Sequence, residues 1–121
     1  MPSSFRIVVA ADDTLASHHA LAFAIDLCSK IPDSVLQVIH AVGLNAPGTS
    51  LLGSLDRTNN MEIQAEAKNT EKRLRQALPE GTELVMKEAY EPVQDIIAEF
   101  VNQNPPDMFV VGSSNRTGLE R

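Results

Sequence analysis

Four short apolar runs alternate along the chain with three longer stretches in which apolar residues recur every three or four positions. The first run, Phe5-Arg6-Ile7-Val8-Val9-Ala10-Ala11, is almost continuous. A continuous apolar run marks a strand covered on both faces, as in a parallel sheet flanked by helices. It stops at Asp12-Asp13-Thr14, a polar cluster suited to a turn. Ala16, Ala20, Phe23, Ala24, Leu27 and Ile31 then form one apolar stripe at helical spacing. Thr14 or Ser17 offers the hydroxyl that caps this helix, and Pro32-Asp33 ends it.

Val35 to Val42 reads as a second strand. Gly43 to Asn60 reads as a long loop with a short helical piece docked through Leu51, Leu52 and Leu55. A second helix is predicted from about Met61 to Leu78, with Ile63, Ala67, Thr70, Leu74 and Ala77 facing inward. Its Glu71 and Arg75 stand four apart in the favourable order. Thr82 to Ala89 alternates more, so this third strand is less completely buried. Pro92 suits the first turn of a third helix, which carries Val93, Ile96, Ile97, Phe100 and Val101 on one side. Met108 to Val111 is a short, wholly apolar fourth strand. The order βαβαβαβ implies the α/β class: a doubly wound parallel sheet with helices on both faces.

Length and charge narrow the function. A chain of 121 residues reads as one domain over 1–121. Its net charge of −6, with ten basic residues scattered among sixteen acidic ones, leaves no electrostatic footprint for nucleic acid or an anionic membrane. No apolar run approaches the ~20 residues of a membrane span. Cys28 is a lone cysteine and no secretory signal is visible, so a reducing cytoplasm is expected. Cys28 itself reads as a small core residue beside Leu27. His18, His19 and His40 offer no pair at metal-binding spacing on one face, so no metal site is expected.

In an open parallel sheet, ligands bind beyond the carboxyl ends of the strands, where strand order reverses. Candidate chemistry therefore lies in Asp12-Asp13-Thr14, in Val42-Gly43 onward, in Tyr90-Glu91-Pro92 and in Gly112 to Gly118. Gly112-Ser113-Ser114-Asn115-Arg116 is the most informative. A glycine after a buried strand permits close backbone approach, small residues expose N–H groups to an anion, and Arg116 adds a charge. The Walker A pattern is absent, and the first strand is not followed by the glycines of a dinucleotide fingerprint. A nucleophile elbow fails at Arg116, and His40 lies in a strand, so no Ser-His-acid triad is expected. Asp12 reads equally as an Asx-turn or capping carboxylate and as a ligand group.

Three stretches resemble the universal stress protein family. Val8-Val9-Ala10-Ala11-Asp12-Asp13-Thr14 is similar to the family's Val-x-Asp-Gly-Ser strand end. Val38-Ile39-His40-Ala41-Val42 resembles its Leu-His-Val second strand. Asp107 to Leu119, with Gly112-Ser113-Ser114-Asn115-Arg116-Thr117-Gly118 at its centre, resembles its glycine-rich turn. The resemblance implies an adenine nucleotide alpha hydrolase-like fold and a small cytoplasmic domain that binds ATP, with Mg²⁺, or another adenine nucleotide as a regulatory ligand without efficient turnover. It implies a site made of Ala10, Ala11, Asp12, Ala41, Val111, Gly112, Ser113, Asn115 and Arg116. The chain departs from the family's G-x2-G-x9-G-[ST] pattern at Asn115, which replaces the second glycine; the third falls beyond Arg121. Asp13 stands where the family has glycine. These departures motivate a second reading, a stress-response interaction module acting through protein partners. The family pattern also implies a last helix and strand after residue 118, so the chain reads as C-terminally incomplete. A homodimer is then expected, either through that C-terminal strand or through an open edge at Met108 to Val111.

Overall fold

The computed structural model describes residues 5–12, 14–45 and 53–112, the side chains of 53–57 excepted. The elements follow in the order β1 (Phe5–Ala10), α1 (Leu15–Lys30), β2 (Ser34–Gly43), α2 (Gly53–Ala77), β3 (Glu83–Ala89), α3 (Val93–Gln103) and β4 (Met108–Val111). The four strands form one parallel sheet in the order β3-β2-β1-β4. The α/β class and the doubly wound architecture follow directly.

The centre of the sheet explains the continuous apolar runs. Ile7, Val8 and Val9 are fully buried because β1 has a strand on each side and a core on each face. Ile7, Val9, Leu36, Val38 and Leu84 meet Leu21 and Ala24 of α1 and Leu74 of α2 on one face. Val8, Ala10 and Ile39 meet Phe100 of α3 on the other. β3 is an edge strand among the described residues, and only its Leu84 is buried, which matches its alternating pattern.

Arg6 clamps the amino end of the sheet. Its backbone N–H donates to Asp107 Oδ2 at 2.7 Å, and its guanidinium donates to the Asn104 carbonyl at 2.9 Å and to Gln37 Oε1 at 2.8 Å. The Asp107 N–H returns a bond to the Arg6 carbonyl at 2.9 Å. The chain is thereby held where it enters β4, and Ile7 pairs with Met108 and Ala10 with Val111.

Expectations for all three helices are corrected. Of the stripe expected on α1, Ala24 is buried and Leu27 and Ile31 pack against the core, but Phe23 is 57% exposed and Ser17 and Leu21 are buried instead. The stripe is rotated because Ser17 turns inward: its hydroxyl accepts from the Asp12 N–H at 2.9 Å. The second correction concerns α2, which begins at Gly53, inside the stretch read as loop. Asn60 fixes this early part by accepting from the Asn45 N–H at 2.8 Å and donating to its carbonyl at 2.9 Å. Leu51 and Leu52 lie outside the described residues, as does the side chain of Leu55. In the second half of α2, Thr70 and Leu74 are buried as expected, Ala77 is exposed, and Arg75 pairs with Glu71 at 2.9 Å. Pro92 is the N-cap of α3 rather than its first helical residue. Among the described residues, no helix is long and apolar enough to cross a membrane.

Candidate functional site

Strand order reverses between β1 and β4, because β2 and β3 extend from one side of β1 and β4 from the other. The carboxyl ends of β1 and β4 therefore open the crevice that such folds use for ligands. Ala10 and Val111 are register partners there, so Ala11-Asp12 and Gly112 leave the sheet side by side.

Asp12 organises the start of α1. Its Oδ1 accepts from the Thr14 N–H at 2.9 Å, which is an Asx-turn, and from the Thr14 hydroxyl at 2.6 Å. The same Thr14 oxygen accepts from the Ser17 N–H at 3.2 Å, making Thr14 the N-cap. Partial burial pushes the Asp12 carboxyl up. Hydrogen bonds from the Thr14 side chain, Ser17 and the Thr14 N–H outweigh it, helped by nearby His40, and hold the group below its ordinary 3.8. A carboxylate depressed in the folded state adds stability above its unfolded pKa and loses it as pH falls through the folded value. Asp12→Asn should therefore be less stable than wild type at neutral pH, by under about 1 kcal/mol because solvent screens the charge. The gap should close as pH falls below 3.8. Urea melts at neutral and acid pH check this, and a gap that does not change with pH contradicts it.

His40 braces the same backbone from β2. Its Nδ1 lies 2.8 Å from the Ala11 carbonyl oxygen, beside the Ala11 N–H bond to the Ile39 carbonyl at 2.9 Å. The ring is buried. Sequence pattern placed His40 in a strand but gave no sign of this role, because its partner lies 29 residues away.

Gly112 is the tightest point. A Cβ there would sit 2.3 Å from the Ala16 carbonyl oxygen and 2.6 Å from its carbon. The glycine thus lets the chain leaving β4 pass directly against the first turn of α1. That turn itself carries no acidic side chain, and the Asp12 carboxylate just before it lies at the positive end of the helix.

Of the residues predicted for the site, Ala10, Ala11, Asp12, Val111 and Gly112 come together at this crevice. Ala41 lies on the neighbouring strand, next to His40. Ser113, Asn115 and Arg116, like Asp13, lie outside the described residues. A larger cavity of about 580 Å³ between α2 and β3, lined by Met61, Lys68 and Met86 among others, is on the far side of β2 from Asp12.

The comparisons agree with this geometry. The model of the universal stress protein family matches residues 4–121. The chain belongs to the universal stress protein family. Among solved structures, the universal stress protein UspA from Lactobacillus plantarum superposes with a TM-score of 0.73 at 20% identity, covering 100% of this chain and 85% of that one. A universal stress protein family member from Burkholderia pseudomallei gives a TM-score of 0.54 at 20% identity, covering 93% of this chain and 85% of its own. A universal stress protein from Archaeoglobus fulgidus gives 0.53 at 20% identity, covering 96% and 80%. No curated protein matches the chain by sequence. At these identities the structural likenesses speak for the fold of this universal stress protein and not for its ligand.

Proposed function

We propose that this universal stress protein binds ATP, with Mg²⁺, or another adenine nucleotide in the crevice beyond β1 and β4, as a regulatory ligand in the cytoplasm without efficient turnover. The observation that carries the reading is the approach of Gly112 to the first turn of α1 with the Asp12 carboxylate alongside. These features fit such a ligand in three ways. The backbone N–H groups of the first turn of α1, a turn without acidic side chains of its own, are donors for a phosphate. A glycine leaves backbone exposed to it. A carboxylate below its ordinary pKa is an acceptor for a ribose hydroxyl or an exocyclic amine at neutral pH. Ala10, Ala11, Ala41 and Val111 supply backbone and walls, and Ser113, Asn115 and Arg116 continue the loop in sequence.

A second reading is a nucleotide-free interaction module that pairs with another copy. It is favoured by β4, a sheet edge among the described residues, on which Phe109 is 38% and Val111 58% exposed. Thermal denaturation with millimolar Mg-ATP separates the two. Ligand at a hundred times its Kd stabilises by about 2.7 kcal/mol, so the first reading expects a rise of several degrees. No rise in wild type, a rise only in Asn115→Gly, and a dimer by sedimentation would select the second reading.

A further inference from the structure

Two buried polar groups face one cavity between β2 and α2. The cavity holds about 340 Å³, and its lining includes His40, Val42, Ile63, Glu66 and Thr70; it contains neither Asp12 nor Gly112 and adjoins the nucleotide crevice at Ala41. Thr70 is 5% exposed. A helical threonine commonly bonds back to the carbonyl four residues earlier, yet the Thr70 hydroxyl has no hydrogen-bond partner among the described residues. His40 is 9% exposed. Its Nδ1 faces a carbonyl oxygen, which only accepts, so Nδ1 carries the proton. In the neutral ring Nε2 is then an acceptor, and it has no partner among the described residues.

Buried donors and acceptors left unpaired are costly, so something polar belongs beside these two groups. A single water occupies about 30 Å³, a small part of this space. The volume instead falls within the roughly 300–1,000 Å³ of small-molecule sites. Val42, Ile63 and Ala67 make the walls apolar. Glu66, whose side chain is 67% exposed and pairs with Arg73 at 3.1 Å, marks the open side.

We propose that this cavity, which adjoins the nucleotide crevice at Ala41, is a small-molecule site of its own, selective for a compound with an apolar body and one hydroxyl group, as in phenols. The ligand's hydroxyl donates to His40 Nε2 and accepts from the Thr70 hydroxyl, while its ring covers the aliphatic wall. The proposal does not depend on nucleotide binding.

Phenol is the probe, titrated into the full chain without nucleotide and followed by the His40 ring ¹⁵N signals and the Thr70 amide. Saturable shifts are expected at millimolar phenol. Thr70→Val, which keeps the side-chain shape and deletes the hydroxyl, should weaken binding by up to about tenfold with its thermal midpoint level or raised. Thr70→Ser should retain binding. Toluene, which lacks the hydroxyl, should bind wild type up to about tenfold more weakly than phenol does. Linear, unsaturated shifts with phenol would mean that water alone fills the cavity and would overturn the proposal. Equal affinity for toluene and phenol would overturn the polar role. A large loss of stability in Thr70→Val would show that the hydroxyl already has a partner, and would overturn it too.

Discussion

Gly112→Ala is expected to lower stability by about 3 kcal/mol, the upper part of the range for forcing extra volume into a packed site. The added carbon would lie 2.3 Å from the Ala16 oxygen, 2.6 Å from the Ala16 carbon and 2.9 Å from the Ser17 nitrogen. All three are backbone atoms of the first turn of α1, so no side chain can rotate aside. Either that turn or the end of β4 must move. β4 is only four residues long and pairs with β1 alone among the described strands, so the carboxyl end of the sheet is the weaker partner. A cost of this size is a large fraction of the 5–15 kcal/mol that holds a typical domain together. The matched control is Gly81→Ala. Gly81 has φ +90 with nothing within 4 Å of an added Cβ, so its alanine variant carries only the left-handed backbone penalty of about 1–2 kcal/mol. Urea melts of both variants give the comparison. If Gly112→Ala costs no more than Gly81→Ala, the end of β4 is free to move, and the close approach is not a constraint. The same variant should also lose the Mg-ATP response, because the turn that would face the phosphate is displaced.

The carboxyl-end turn of β4 shows how far the sequence carries. A short apolar run ending in glycine identifies both the strand and the turn, and Met108–Val111 is the strand observed. What the pattern could not supply is the neighbour of that glycine, because Ala16 is 96 positions away and approaches only through the fold. The same limit applies to His40 and Ala11. Asp12, by contrast, was legible as a capping or Asx residue, since its partner Thr14 is two residues on. On α1, Phe23 alone of the larger stripe residues turns out to solvent, for a different reason. Phe23 and Leu21 lie on two overlapping stripes that share Ala24, and the larger side chain was the natural choice for the core. The deciding residue is Ser17, a polar side chain buried by its bond to Asp12, and a hydrophobic period gives such a residue no weight. The early part of α2 reads as a separate short helical piece around Leu55, because Asp56 to Asn60 contains no apolar residue to join it to the helix from Met61.

Leu74→Ala should produce the other large effect, a loss of about 3–5 kcal/mol, in the upper range for a buried leucine. Leu74 is fully buried among Ile7, Val9, Leu36, Val38 and Leu84. α2 is 25 residues long, yet Thr70 and Leu74 are its only buried side chains among those described. Thr70 brings a hydroxyl, so Leu74 supplies most of the fully buried apolar anchorage. Most of the remaining helix faces solvent, and a helix in water gains little stability without a packed face. The variant is therefore expected to lose α2 before it loses the sheet. Native-state hydrogen exchange should show protection falling across residues 62–76 while β1 and β2 amides keep the higher opening energy. Met61→Ala is the control. At 68% exposure, Met61 should change stability by no more than about 0.5 kcal/mol. Retained α2 protection in Leu74→Ala, with a loss below about 1.5 kcal/mol, would shift the weight to the polar ties. Those are the paired bonds between Asn45 and Asn60 and the Gln64 to Glu88 bond at 2.7 Å. Each lies in an exposed setting, where water competes for the same groups, so the hydrophobic anchor is expected to dominate.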